Sequence, residues 1–223
     1  MNKDIQRLLL WLGLAVAIIG GILAIVFMSG SPATNNGTVD MPVADNEWSL
    51  GNKDSDIVLV EYSDLQCPAC AAREPQVKQL INEFGSHIRF VYRHFPLRNN
   101  HPNAQISAQS AEAAGMQKKF WEMHDILFEK QDEWAGESND DAKKLFIGYA
   151  KELGLDTAKF AEDMESDEAE DAVNADQKSG VQAGVNSTPT FYLNGKLINA
   201  TSYEDLRNII KQSIDSAKQE PTT

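Results

Sequence analysis

The sequence predicts an α/β domain, a mixed sheet with helices on its faces and an inserted all-helical subdomain, preceded by one transmembrane helix. Three observations carry this. Leu8 to Phe27 is a run of twenty residues without a charge. Ile57 to Tyr92 passes from strand to helix to strand pattern, and strand patterns return only at Thr190, after a long helical stretch.

At about 1.5 Å rise per residue, Leu8–Phe27 spans the roughly 30 Å of a bilayer's hydrocarbon core. A cleaved signal peptide competes with that assignment. Its apolar region usually runs only about 7 to 15 residues, however, and Ser31-Pro32-Ala33 is a poor substitute for an A-x-A site. The segment is therefore assigned as an uncleaved anchor at 8–28, after a cytoplasmic tail at 1–7. Lys3 and Arg7 precede it and no Lys or Arg follows until Lys53, so the body faces outward, extracytoplasmic on a single-pass anchor. Residues 29–46, rich in Ser, Gly, Pro, Asn and Asp, form a flexible linker. Residues 47–218 fit one domain with a sizeable core, and 219–223 form a tail.

Within the body, Ile57 to Tyr62 and Ile88 to Tyr92 are short runs of β-branched and aromatic type. Between them Val77, Leu80, Ile81 and Phe84 recur at helical spacing from Cys70, and Gly85 stops the helix. A β-α-β crossover of this length makes the two strands parallel neighbours. Helical patterns then dominate the insertion at about 99–185, as in Phe120, Met123, Leu127 and again Leu145, Tyr149, Leu153. Thr190–Leu193, the turn Asn194-Gly195 and Lys196–Ile198 read as a hairpin. Ser202 caps a last helix through Leu206, Ile209, Ile210 and Ile214, with Asp205 in the capping-box position.

The chemistry rests on the chain's two cysteines, Cys67-Pro68-Ala69-Cys70, placed between a strand and a helix. Two thiols at i and i+3 on a first helical turn can close a disulfide, so the pair reads as redox-active. Half of a zinc site is the ordinary alternative. Structural zinc takes four N or S ligands, there is no second Cys pair, and His87, His94, His101 and His124 are too scattered to complete one. Outside the cytosol such a dithiol can be kept oxidised. Without its first 28 residues the chain carries 18 basic against 32 acidic residues, a formal charge of −14. That balance argues against nucleic acid and anionic lipid as partners.

Three separated motifs give the body a family likeness: Glu61-Tyr62-Ser63-Asp64-Leu65-Gln66-Cys67-Pro68-Ala69-Cys70, Arg93-His94-Phe95-Pro96-Leu97, and Thr188-Pro189-Thr190-Phe191 followed by Asn194-Gly195. From about Trp48 to Lys218 the chain resembles the DsbA-like branch of the thioredoxin superfamily, in particular its membrane-tethered bacterial members. The resemblance implies a thioredoxin-like sheet, a cis peptide before Pro189 lying against the disulfide, and a catalytic set of Cys67, Cys70, Thr188, Pro189 and Glu61. Cys67 would bond to substrate, its thiolate favoured by the helix N-terminus, with Cys70 as the resolving sulfur. Glu61 matches an acidic position that relays a proton to the inner sulfur, although a solvated or paired carboxylate at a sheet edge is the bland alternative. Substrate would add as an extended strand beside Thr188. The implied activity is that of an oxidase giving disulfides to reduced, unfolded secreted or envelope proteins, with a quinone-linked membrane partner as reoxidant. No cofactor beyond the Cys67–Cys70 disulfide and no metal is expected.

Pro68 matches the oxidising members, whereas Ala69 replaces the histidine of the best-known ones, so an oxidant of lesser strength is expected. A reductase or isomerase on the same fold is the first rival, supported by Thr188 and Ala69. A carrier of a soft ion such as Cu(I) and a tethered binding module with a structural disulfide are the others. His94 and Arg93 could face the motif, but a histidine ending a strand is more often structural. Phe120, Trp121 and Trp134 read as packing. The eight carboxylates from Glu162 to Asp176 lack EF-hand spacing and read as a solvated helix face. The N-x-Thr triplets at Asn36, Asn186 and Asn199 read as chance.

Overall fold

The computed structural model of the protein describes residues 38–219. The anchor expected at 8–28, the cytoplasmic tail, most of the linker and residues 220–223 lie outside them. Among the described residues no helix is long and apolar enough to cross a membrane. The domain below is the compact unit from Asp40 onward.

Five strands form one sheet in the order β1-β3-β2-β4-β5: β1 Ser49–Gly51, β2 Val58–Ser63, β3 Arg89–His94, β4 Thr190–Leu193 and β5 Lys196–Ile198. β2 and β3 pair in parallel, with Val58 opposite Arg89 and Ser63 opposite His94. Helix α1, Pro68–Phe84, crosses between them, as the β-α-β pattern predicts. β4 runs antiparallel along the other edge of β2, with Thr190 opposite Tyr62. That register brings the segment before Thr190 to the end of β2 where α1 begins. Asn194 and Gly195 both take positive φ, 48° and 74°, the geometry a two-residue hairpin turn requires.

The insertion folds as six helices: α2 Ala104–Met116, α3 Phe120–Glu129, α4 Gln131–Trp134, α5 Asn139–Glu152, α6 Thr157–Met164 and α7 Asp167–Ala183. α8, Tyr203–Ala217, closes the chain on the Ser202–Asp205 capping box. Alternation along β2 sends its residues to two faces. Leu59 joins Val77, Leu80 and Phe84 of α1 and Leu206, Ile210 and Ile214 of α8 in one apolar cluster, which continues through Phe90 and Tyr92 into Phe120, Met123, Leu127 and Trp134. Tyr62 points the other way, its hydroxyl 2.9 Å from Ser179 Oγ of α7. Phe120 and Trp134 are buried and Trp121 packs against the cluster, in line with a packing role.

One strand was not foreseen, and the expectations for Gly85 and for the linker gain detail. No strand was expected before Ile57, because Ser49-Leu50-Gly51 is too short to show alternation; β1 exists because the edge of β3 supplies its partners. Gly85 does end α1, yet with an ordinary helical φ of −57°. Its lack of a side chain matters for space: a Cβ there would meet Ile81 O at 2.5 Å, and one on Gly51 (φ 85°) would meet Ile88 O at 2.5 Å and Gly85 O at 2.8 Å. The expected linker also ends earlier than Asn46. Pro42 O accepts from Arg93 Nη2 at 2.7 Å, and Ala44 O from Arg89 Nη2 at 2.7 Å. These two guanidiniums belong to buried residues and need acceptors, so they tie residues 42–47 to β3.

Candidate active site

The site begins where β2 stops. Asp64, Leu65 and Gln66 carry the chain from Ser63 to Cys67, which occupies the N-cap of α1 in extended backbone (φ −74°, ψ 121°) with Pro68 at the first helical position. Proline is well placed there, since its fixed φ suits the helix and its missing N–H would have had no helical partner. The first helical bonds are those from Cys70 N (3.0 Å) and Ala71 N (3.1 Å) to Cys67 O.

Buried polar side chains hold this turn. Asp64 Oδ1 accepts from Gln66 N at 2.8 Å, while Oδ2 accepts from Leu97 N at 2.9 Å and meets His101 Nδ1 at 2.7 Å. Gln66 Nε2 donates to Ala135 O at 2.7 Å, and Gln66 Oε1 accepts from Asn103 N at 2.7 Å. Gln131 Nε2 donates to Leu65 O at 2.7 Å and Cys67 O at 3.2 Å. The helical subdomain therefore fixes the motif from behind. Asp64→Ala strips three donors of one buried acceptor, and the expected loss is roughly 3 kcal/mol of folding stability. Urea unfolding checks it, and a loss below about 1 kcal/mol would make the turn self-supporting.

Both cysteines are free thiols. Cys67 is 7% exposed and Cys70 1%, so Cys67 is the sulfur nearer to solvent. The Thr188–Pro189 peptide is cis, as the resemblance implies, and Cys67 Sγ lies 3.6 Å from Thr188 O. Thr188 Oγ1 is buried and has no partner of its own. As a thiol, Cys67 donates to the Thr188 carbonyl; as a thiolate it can instead accept from the Thr188 hydroxyl.

The Cys67 thiol is pulled down to about 5. Donation from the Cys70 thiol is the largest cause; burial opposes it, and the Thr188 side chain and the N–H groups of Cys70 and Ala69 assist. The helix terminus thus contributes, but it is not the leading cause the sequence suggests. Cys70 is pushed well above the usual thiol range, first by burial, then by its bond to Cys67 and the nearby charge of Glu61. Glu61 is fully buried in the sheet, and burial raises its carboxyl to about 7 against the opposing effects of Ser63 and Arg73. It is therefore a buried titrating group beside the inner sulfur, not a solvated edge carboxylate.

Sequence reasoning passed over two side chains here. Ser63, at the end of β2, acts on both Glu61 and Cys70. Glu74, one turn beyond Cys70, is raised to about 8 by burial and then by Glu61. The signal for Glu74 was its position on the helix face of Cys70 and Val77. Glu74, His124 and Asp125 bring potential ligand atoms within 4.8 Å of one another, but Lys78 Nζ lies 3.0 Å from Asp125 Oδ2 and supplies a cation there.

Arg93 and His94 do not join the cysteines. Arg93 is paired with Glu47 at 2.8 Å and donates to Tyr62 Oη at 2.9 Å; His94 packs on Tyr92 and Phe120 with Nε2 3.2 Å from Glu112 Oε1. Of the eight carboxylates from Glu162 to Asp176, six are exposed as expected, but Asp163 is buried against Lys159 (2.7 Å). Asp176 accepts from His94 N at 2.9 Å, and burial raises it to about 7.

A mixed sheet with a CxxC at the start of its crossover helix, facing a cis-proline loop, defines a thioredoxin-fold protein. Residues 44–212 match the family model described as Thioredoxin, and the chain belongs to that family. Among solved structures, a thioredoxin-like oxidoreductase from Silicibacter pomeroyi DSS-3 is 26% identical with a TM-score of 0.64, covering 80% of this chain and 95% of that one. BdbD from Bacillus subtilis, in its oxidised form, shares the fold with a TM-score of 0.70 at 21% identity, covering 81% of this chain and all of that one (100%). A curated relative, the Na(+)/H(+) antiporter NhaA 1 of Salinispora arenicola, is 36% identical over 165 residues, which are 73% of this chain and 24% of the antiporter. The chain thus spans about a quarter of the length of the curated relatives it matches.

Proposed function

We propose that the protein is an extracytoplasmic thiol:disulfide oxidoreductase, anchored by residues 8–28 and acting as an oxidase that gives disulfides to secreted or envelope proteins. The observation that carries this is the pair of opposed thiols, Cys67 held at about 5 and Cys70 well above the ordinary range. A substrate thiolate attacks Cys67 of the Cys67–Cys70 disulfide, and Cys70 leaves with the electron pair. A second substrate thiolate then attacks the substrate sulfur of the mixed disulfide, forming the product disulfide and releasing Cys67 as the better anion of the pair. Stabilising the Cys67 thiolate stabilises the reduced protein, and this makes the disulfide the stronger oxidant.

Pro189, with Arg73, Asn186, Phe191 and Leu197, lines a groove of about 430 Å³. An extended substrate segment pairing beside Thr188 would lie there, its main-chain bonds making no demand on sequence. Reoxidation falls to a quinone-linked membrane partner, which the extracytoplasmic location would permit. The transport named for the antiporters belongs to proteins about four times as long as the shared piece.

Titration of the disulfide against glutathione buffers tests the direction. A potential well above that of thioredoxin, at roughly −200 mV or higher, is the expected result for an oxidase, and a value near about −270 mV would make the protein a reductase.

A further inference from the structure

Glu61 and Ser63 are two positions apart on β2 and so project from the same sheet face as Leu59, the face against which α1 packs with Cys70. All three are sealed from solvent: Ser63 is 0%, Cys70 1% and Glu61 2% exposed. The main chain of Ser63 is satisfied, its carbonyl accepting from Phe95 N at 2.7 Å. Its hydroxyl is not. Ser63 Oγ and Glu61 Oε2 are both buried without a hydrogen-bond partner, an arrangement that alanine at 63 would relieve and that needs an explanation.

We propose that Ser63 is a proton-relay residue, its hydroxyl carrying the proton that Cys70 and the Glu61 carboxyl exchange during turnover. This rests on the oxidoreductase reading above. When a substrate thiolate attacks Cys67, the bond between Cys67 and Cys70 breaks and the pair of electrons stays on Cys70. The Ser63 O–H proton passes to Cys70 Sγ while the proton of the Glu61 carboxylic acid passes to Ser63 Oγ. One proton has crossed, the hydroxyl is restored, and Glu61 is left as a carboxylate. When Cys70 attacks Cys67 in a mixed disulfide, every step reverses: Cys70 gives up its proton toward Glu61, its sulfur bonds to Cys67, and the substrate leaves as a thiolate. The hydroxyl suits this role because it both donates and accepts. No hydrogen bond joins these side chains while both Cys70 and Glu61 are neutral; the Ser63 hydroxyl nonetheless lowers the pKa of both, as a donor does that turns to whichever of the two becomes anionic.

The test compares Ser63→Ala, Glu61→Gln and the double variant in the full chain, with Cys67 titration as a check that the outer sulfur is undisturbed. Collapse of a preformed Cys67 mixed disulfide is expected to slow roughly ten- to a hundredfold in Ser63→Ala, with the double variant no slower than Glu61→Gln alone. Wild-type collapse in Ser63→Ala, or a double variant slowed by the product of the single factors, would overturn the relay. A second readout needs no exchange activity: in a Cys67→Ala background, the pH profile of Cys70 alkylation should move upward in Ser63→Ala and downward in Glu61→Gln. An unmoved profile in Ser63→Ala defeats the relay even where exchange is normal. A wild-type protein that exchanges no thiols, yet shows these opposite shifts, would instead defeat the oxidoreductase reading.

Discussion

Cys67→Ser is expected to abolish thiol–disulfide exchange, and the reduced wild-type protein is expected to react with a small alkylating reagent at pH 5 about a hundredfold faster than an ordinary cysteine. The two effects have one source, the Cys67 midpoint near 5. At pH 5 a thiol of ordinary pKa near 9 is ionised to about one part in ten thousand, whereas Cys67 is about half ionised. Against that gain stands the lower nucleophilicity of a more stable thiolate, roughly a hundredfold over this interval at a Brønsted slope of about 0.4 to 0.5. Ionisation wins at acidic pH, and the advantage is gone near about pH 7, where an ordinary thiol is ionised to roughly one part in a hundred. Alkylation rates measured from pH 4 to 9 should therefore level off above about 6. A profile still climbing at pH 8 would remove the basis for Cys67 as the attacking sulfur.

The same shift sets a stability difference between redox forms. A folded pKa depressed below the unfolded value contributes stability that is fully present above about pH 9 and is lost as pH falls through the folded midpoint near 5. The disulfide form has no such group, and Cys70, pushed upward, adds nothing below pH 9. The stability advantage of the reduced protein over the oxidised one should therefore shrink steadily between pH 9 and 5. Thermal melts of the two forms across that window would read it.

What could be read from the residues alone divides along physical lines. Pro68 after Cys67, the Asn194-Gly195 turn and the Ser202–Asp205 box are signals in which a few adjacent residues determine their own backbone, and each appears in the structure where its sequence placed it. The long-range parts were not legible. β1 is a strand only because β3 offers it an edge, and Gly51 has no room for a side chain because Ile88 O and Gly85 O crowd it. Burial of charge was the least visible property. Glu61, Glu74 and Asp176 have nothing in their neighbouring residues to say that each would be pushed above the usual carboxylate range, because desolvation is set by what packs from elsewhere in the chain. Arg93 and His94, adjacent to the site in their motif, are drawn away by Glu47 and Glu112. The spacing of Cys67 and Cys70 points to a shared site; the Cys70 thiol as the leading donor to the Cys67 sulfur is visible only in the folded chain.

That last point can be separated experimentally from the effect of the helix terminus. Cys70→Ala removes the leading donor to Cys67 but leaves the N–H groups of residues 69 and 70 in place, so the Cys67 midpoint should rise by at least about one unit toward the ordinary range. Cys70→Ser keeps a hydroxyl at the same position and should rise less. Thr188→Val removes the second side-chain donor and should raise the midpoint in its own right, without touching the motif. Thiolate absorbance in the ultraviolet gives all three midpoints on reduced protein. If Cys70→Ala stays near 5 while Thr188→Val moves, the backbone of α1 and the loop before Pro189 hold the anion, and Cys70 is only its resolving partner. If Cys70→Ala moves most, each thiol tunes the other, and the opposition between an acidic outer sulfur and a basic inner one arises from a single shared proton. In either case both Cys70 variants, offered a substrate disulfide, should accumulate the Cys67 mixed disulfide: the Cys67 thiolate bonds to one substrate sulfur, the other leaves as a thiolate, and no inner thiol remains to release the first.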